Sequence, residues 1–254
     1  MVNIVLPIAG RGSRFADAGY ELPKPLIPVH GIPMIEVVVN NIRPECEHNF
    51  IFVALKEHLD HLSMRETLNR IAPGCIIIPV TEVTEGAACT VLLAEEYIDN
   101  ENQLMLANSD QWVDIDINDY LTTIKHKNVD GLIMTMWADD PKWSYAAFNE
   151  NGFVTKVVEK KVISNEATVG IYNFKRGSDF VKSAKQMISK NLRVNNEFYV
   201  APVYNELITD NAKISVFNIG KENSGMYGLG IPSDLECFMK SKKSLESVAN
   251  IIEI

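Results

Sequence analysis

Two arginines and a lysine gather around a glycine-rich turn near the N-terminus. In "LPIAGRGSRFADAGYELPKPLIP", residues 6–28, Gly10 and Gly12 flank Arg11, Arg14 follows, and Lys24 sits between Pro23 and Pro25. Glycines let bare backbone amides approach a phosphate, and cations beside them neutralise it; three cations at this spacing suit a triphosphate. The two prolines restrict the backbone around Lys24. Neither common phosphate motif is present: the dinucleotide fingerprint requires a third glycine where Phe15 stands, and the Gly-Lys-Ser/Thr end of a P-loop is missing. A solvated surface turn would carry similar letters, so the spacing to "PKPLIPV" is what gives the cluster chemical meaning.

A turn of this kind needs a rigid strand before it. Short apolar runs recur with helical patterns between them: "NIVLPI" at 3–8, "FIFVAL" at 50–55, "CIIIPV" at 75–80, "QLMLAN" at 103–108 and "GLIMTMW" at 131–137. That rhythm predicts an α/β fold: a Rossmann-like mixed, mainly parallel sheet flanked by helices. Pro33 opens "PMIEVVVNNI", Leu59, Leu62 and Leu68 line one face of "EHLDHLSMRETLNRI", and Asp116 caps "INDYLTTIKH". Beyond residue 140 shorter segments follow, "YAAFNE", "FVTKVVEK" and "ATVGIYNF", then helices near 177–190 and 200–210, a strand "KISVFNI", and one closing helix in "SDLECFMKSKKSLESVANIIEI". No repeat or flexible linker interrupts the chain. The expectation is a single domain over 1–254, with a nucleotide-binding half at 1–140 and an acceptor-binding half with the C-terminal helix at 141–254.

With 254 residues and 46% hydrophobic content the chain can fill a sizeable core, which excludes disorder. A net charge of −9 argues against non-specific attraction to nucleic acid or anionic membrane, so an anionic ligand must meet a local cation cluster. The four cysteines form no CxxC pair, which argues against a zinc site or a disulfide framework and for reduced, mostly buried thiols in a cytoplasmic protein. "MVNIVLPIAG" has no basic leader and is too short to span a bilayer, so it reads as a first core strand.

The stretch from Leu6 to Phe15, followed by Lys24-Pro25-Leu26, resembles the signature of nucleotidyltransferases related to sugar-1-phosphate nucleotidylyltransferases. The resemblance implies that the loop of Leu6, Ala9, Gly10, Arg11, Gly12 and Ser13 wraps the nucleotide phosphates, with Arg14 and Lys24 neutralising them. "TEGAACTVLLA" at 84–94 looks like the family's base-recognition turn, which places Gly86 and Ala87 at the base edge with Thr84 or Glu85 as added contacts. "ANSDQW" at 107–112 resembles its metal motif, implying Mg²⁺ on Asp110, with Ser109 beside the nucleotide. Asp110 follows a core strand, so it lies at the carboxyl edge where ligands bind, although turns and helix caps also use aspartate. "VVEKK" at 157–161 resembles the motif that meets the acceptor, with Glu159 toward the acceptor and Lys160 toward its phosphate, although Lys161 replaces the family's proline. "VGIYNF" at 169–174 resembles the acceptor-pocket segment through Gly170 and Tyr172. Many relatives carry a further metal aspartate near the end; here Gly228 stands in its place. Either Asp234 reaches the ion, or Asp110, nucleotide phosphates and water hold it.

"TEGAACTVLLAEEYI", "ANSDQWV" and "NNEFYVAPVYNELI" together resemble small capsule-associated cytidylyltransferases. That implies CTP as donor and a small phosphorylated amino acid or phosphoramidate-type acceptor, with Asn196, Glu197 and Tyr199 facing it. A phosphate acceptor is already ionised at neutral pH, so no general base is needed. None of His30, His48, His58, His61 or His126 falls in a matched motif. Three other readings remain open: a sugar-1-phosphate nucleotidylyltransferase using another nucleotide, a catalytically silent nucleotide-binding protein, and a glycosyltransferase built on the "DID" at 114–116. Oligomeric state is not legible.

Overall fold

Val2–Ile8 (β1) is buried along almost its whole length because both of its faces are covered. Ile4, Leu6 and Ile8 pack on one side with Val37 and Val38 of the helix Met34–Asn41. On the other side, Val5 packs with Val91 of the helix Ala87–Leu92 and Phe180 of the helix Gly177–Ser189. This period-two alternation with apolar residues on both faces is what a central parallel strand requires. Each such side chain, once fully buried, contributes about 1.5–3 kcal/mol.

The computed structural model of the chain describes residues 1–60 and 62–252. His61 and the side chain of Leu62, expected beside Leu59 and Leu68, lie outside the described residues. After β1 come a small hairpin, Pro28–Val29 (β2) and Ile32–Pro33 (β3), then His48–Leu55 (β4), Ile76–Val80 (β5), Gln103–Ala107 (β6) and Gln111–Val113 (β7). Gly131–Trp137 (β8), Tyr145–Phe148 (β9), Val154–Val158 (β10), Glu166–Phe174 (β11), Ile214–Glu222 (β12) and Gly225–Gly228 (β13) follow.

Apart from the hairpin, these strands form one mixed sheet in the order β5-β4-β1-β6-β11-β8-β12-β13-β7, with β9 on β11 and β10 on β9. The strands β5, β4, β1 and β6 run parallel, with Leu6 opposite Phe52 and Val2 opposite Gln103. Antiparallel β11 then inserts between β6 and β8, and its register shifts between Thr168 and Tyr172. The carboxyl ends of β1 and β6, and the shifted middle of β11, therefore meet at one edge.

Several boundaries differ from the sequence reading. The region expected as one closing helix is two, Pro232–Met239 and Lys242–Ile252. The break is stabilised by local bonds: Ser241 N–H donates to Phe238 O at 2.8 Å, and Ser241 Oγ accepts from Ser244 N at 3.2 Å. Serine competes with the helix ladder in this way, and period alone does not reveal it. "EHLDHLSMRETLNRI" likewise divides into Lys56–Leu59 and Leu62–Ile71. Asp116 does cap Ile117–His126, accepting from Asn118 N at 2.8 Å. The cysteines are not mostly buried: Cys46 and Cys237 are exposed, while Cys75 and Cys89 are intermediate. Among the described residues no helix is long and apolar enough to cross a membrane.

Candidate active site

The loop after β1 turns through Gly12, whose φ of 64° is left-handed and starts the short helix Ser13–Asp17. A Cβ on Gly12 would stand 3.0 Å from Lys24 Cβ, so glycine serves both the turn and the close approach. Phe15, at the place of the absent third glycine, is buried and packs edge-on against Tyr20 at 5.1 Å, which anchors the turn to the core. Lys24 opens the 3-10 turn Lys24–Leu26, and its Nζ lies 2.5 Å from Asp110 Oδ2. A cavity of about 250 Å³ covers this pair, walled by Gly10, Gly12, Asn108 and Ser109. Arg11 and Arg14 are exposed, and Arg14 faces a neighbouring cavity. Leu6 differs from its expected place: it is fully buried within β1, so its side chain supports the loop from the core.

Asp110 Oδ1 is buried without a hydrogen-bond partner. Asp234 lies in the first turn of Pro232–Met239, where no side-chain cap bond is made, and a Cβ on Gly228 would come 3.1 Å from its Oδ2. The space beside Gly228 is thus taken by a carboxylate from the next helix. Burial pushes the Asp234 carboxyl up; Lys142 opposes the shift, Glu222 and Asp110 add to it, and Arg14 opposes it. An orphaned buried carboxylate oxygen beside a second carboxyl group fits a divalent cation. Among the described residues no cluster of three His, Cys, Asp or Glu side chains forms a complete cage. Mg²⁺ commonly completes such a site with phosphate oxygens and water.

The turn at 84–88 is fixed by a second segment of chain. Phe198 N donates to Glu85 O at 2.8 Å, and Ala88 N donates to Phe198 O at 3.0 Å. Gly86, at φ 133°, has no room for a side chain, since a Cβ would stand 2.5 Å from Phe198 N. Thr84 Oγ1 donates to Gly86 O at 2.9 Å and lies 2.6 Å from Thr90 Oγ1. The adjoining cavity of about 240 Å³ is bounded by Ala9, Gly10, Val83, Thr84, Gly86 and Glu197. Glu85 points away and pairs with Arg193 at 3.0 Å. Glu197, expected to face the acceptor, borders this cavity beside the turn, and its charge is also felt by Glu159 and Lys160.

The largest of the three cavities, about 380 Å³, lies between the shifted part of β11 and the residues after β8 and β10. Glu159 lines it from a buried position and accepts from Ser144 Oγ. Burial holds its carboxyl above the ordinary range, against the opposing effects of Ser144 and Lys160. Lys160 takes a left-handed φ of 54°, donates N–H to Trp143 O at 3.1 Å and reaches Tyr199 OH with Nζ at 2.7 Å. Gly170, at φ 81°, is the open point of β11: a Cβ there would stand 2.3 Å from Asn108 Nδ2 and 2.5 Å from Gln111 Oε1. Tyr172 is buried, shares a hydrogen bond with Thr168 at 3.1 Å, and has its phenol pushed up by burial. Asn196 lies on the surface loop with its carbonyl accepting from Arg193 at 3.3 Å.

Sequence reasoning missed Asn108, Gln111, Lys142, Trp143 and Ser144, all of which line this cavity. Asn108 and Gln111 bracket the motif aspartate, and that adjacency was the available signal. Lys142 belongs to the polar stretch "DDPKW", which reads as a solvated loop; its Nζ pairs with Glu222 at 3.0 Å and lies 4.8 Å from the Trp143 ring centroid. The "DID" segment does no comparable work: Asp114 pairs with Lys243 at 3.0 Å and Asp116 is the helix cap.

The model of the family described as nucleotidyl transferase matches residues 3–205. A "Bifunctional protein GlmU" of Methanococcus aeolicus is 25% identical over 178 residues, 68% of this chain and 40% of that protein. One from Streptococcus thermophilus is 29% identical over 244 residues, 89% of this chain and 46% of that protein. The chain therefore spans less than half of these relatives. A nucleoside-diphosphate-sugar pyrophosphorylase from Vibrio cholerae superimposes with a TM-score of 0.77 at 24% identity, covering 95% of this chain and all of the other, 100%. An inositol-1-phosphate CTP transferase from T. maritima gives 0.72 at 16% identity, covering 98% and 95%. These two structures share the fold. With the family match spanning the glycine turn, Asp110, Lys160 and the Phe198 loop, the chain belongs to the nucleotidyl transferase family.

Proposed function

We propose that the chain transfers CMP from CTP to a small phosphorylated acceptor of the phosphoglutamine type, releasing pyrophosphate, in the cytoplasm and for capsule or surface polysaccharide. The observation that carries this reading is the meeting of three cavities. The slot beside Gly86 and the cavity over Lys24 share Pro7 and Gly10, the latter cavity shares Asn108 with the acceptor-side cavity, and Ala87 borders both the slot and the acceptor side. Base, phosphates and acceptor can then converge on one α-phosphorus. An acceptor phosphate oxygen forms the new P–O bond there while the bond to the leaving pyrophosphate breaks. Lys24 and Arg14 neutralise charge gathering on the phosphoryl oxygens, and Lys160 orients the acceptor phosphate. Asp110 and Asp234 would hold Mg²⁺, which when bound supplies further charge neutralisation. The choice of CTP rests on the resemblance of "TEGAACTVLLAEEYI", "ANSDQWV" and "NNEFYVAPVYNELI" to cytidylyltransferases.

A sugar-1-phosphate nucleotidylyltransferase is the second reading, favoured by relatives such as the mannose-1-phosphate guanyltransferase beta-A of Xenopus laevis, 25% identical over 181 residues. Pyrophosphate release by the purified chain with Mg²⁺, each of five nucleoside triphosphates, and either phosphoglutamine or a panel of sugar 1-phosphates separates the two. Fastest turnover with CTP and phosphoglutamine is expected. Fastest turnover with a sugar 1-phosphate would replace the reading, and no turnover with any pair would favour a silent binding protein.

A further inference from the structure

We infer that Glu197 reads the nucleobase, accepting a hydrogen bond from the exocyclic amino group of cytosine and turning away uracil and thymine. The inference rests on the reading that the cavity beside Gly86 receives the base of a nucleoside triphosphate. That cavity has weakly polar walls in Pro7, Ala9 and Val83, suited to the flat faces of a base. Thr84 does not readily offer its hydroxyl outward, since Thr84 Oγ1 is occupied by Gly86 O at 2.9 Å and Thr90 Oγ1 at 2.6 Å. Glu85 is turned to Arg193. Glu197 remains as the charged residue bordering the slot; among the described residues it makes no ion pair, and its charge is also felt by Glu159 and Lys160 of the neighbouring cavity.

Its platform is rigid. Val194 and Glu197 exchange backbone hydrogen bonds of 3.0 and 2.9 Å, and the next residue, Phe198, is bonded on both sides to the Glu85–Ala88 turn. Arg193 reinforces the loop, lying 4.2 Å from the centroid of the buried Phe198 ring while bonding to Glu85 and to Asn196 O. A carboxylate held there can only accept hydrogen bonds while ionised. Cytosine presents N4–H₂ as a donor, whereas uracil and thymine present O4, an acceptor that would face the negative charge unpaired.

Calorimetric titration of the full chain with CTP, UTP and dCTP, each with Mg²⁺, tests this in the wild type and in Glu197→Gln and Glu197→Ala. The wild type should prefer CTP to UTP by on the order of tenfold or more, the scale of one well-placed base contact. Glu197→Gln should erase most of that ratio, weakening CTP and strengthening UTP because an amide can donate to O4. Glu197→Ala should weaken CTP without strengthening UTP. A wild type that prefers UTP, an unchanged CTP/UTP ratio in both variants, or a changed CTP/dCTP ratio with CTP/UTP intact would each overturn the assignment while leaving the nucleotide site in place. Failure of every nucleotide to bind would remove the site reading as well. Equal melting temperatures of the variants without nucleotide establish that the comparison is between folded proteins.

Discussion

Two of the charges proposed to do the chemistry are paired with one another. Lys24 Nζ lies 2.5 Å from Asp110 Oδ2, while the other carboxylate oxygen is buried and unpaired. On the proposed mechanism substrate phosphates would draw Lys24 away and leave the carboxylate to a cation, so that both residues would act on the charge formed in the transition state. Lys24→Ala and Asp110→Ala should therefore each lower kcat by at least about 10²-fold, the scale of one lost electrostatic contact. Steady-state pyrophosphate release checks this, and near-normal turnover in either variant would contradict it. Glu159 makes a different prediction, because burial raises its carboxyl above the ordinary value of 4.5. A group that holds its proton more tightly when folded stabilises the fold fully below that ordinary value and loses the contribution as pH rises through the raised one. The melting temperature of Glu159→Gln minus that of the wild type should consequently increase from pH 4 to pH 7. A difference that stays flat across that window would show that Glu159 ionises without cost. The letters of Arg14, Lys24, Asp110, Glu159 and Lys160 were readable because they stand in short fixed motifs. That Glu197 also borders the cavity beside Gly86 was not, because it depends on how the loop 193–199 registers against that glycine.

Strands and turns convert those letters into geometry, and they were unequally readable. The runs that became β1, β4, β6 and β8 announce themselves because a strand covered on both faces must be mostly apolar, while the half-buried edge strand β5 is legible from its isoleucines. The antiparallel insertion of β11 between β6 and β8 is carried by contacts distant in sequence, so "ATVGIYNF" predicts a strand but not its neighbours. Its register shift was equally hidden, although Gly170 marks the spot. That glycine has a physical consequence: its φ of 81° disfavours a side chain, and a Cβ would press on Asn108 and Gln111. Gly170→Ala should push both amides into the cavity proposed for the acceptor, raising KM for the acceptor severalfold or more with a smaller loss of nucleotide affinity, because Asn108 also borders the cavity over Lys24. Titrations of acceptor and nucleotide in separate series decide it. A matching loss of nucleotide affinity would mean that the bulge supports the whole sheet edge and not the acceptor side.

At the scale of the molecule, the site collects segments from nearly the full length of the chain. The glycine turn, Lys24, the Gly86 turn and Asp110 come from before residue 140; Glu159, Gly170, the Phe198 loop and Asp234 come from after it. The two halves are also interleaved, since β11 sits between β6 and β8 while β12 and β13 carry the sheet on to β7. An aromatic cluster ties the same regions together: Trp112 on β7 lies 5.6 Å from Tyr227 and 5.8 Å from Phe238 between ring centroids. Neither half can bury its strands without the other, so heating should unfold both in one transition, with far-ultraviolet dichroism and tryptophan fluorescence giving the same midpoint. A nucleotide that bridges the Gly86 turn, the glycine turn and the Phe198 loop should raise that midpoint as a whole. With Mg²⁺ and CTP at about 100 times Kd, the added stability is roughly 2.7 kcal/mol, and for a chain of 254 residues the rise is several degrees. Two separated transitions, with only one moved by nucleotide, would show that the halves fold independently and that the base slot belongs to one of them alone.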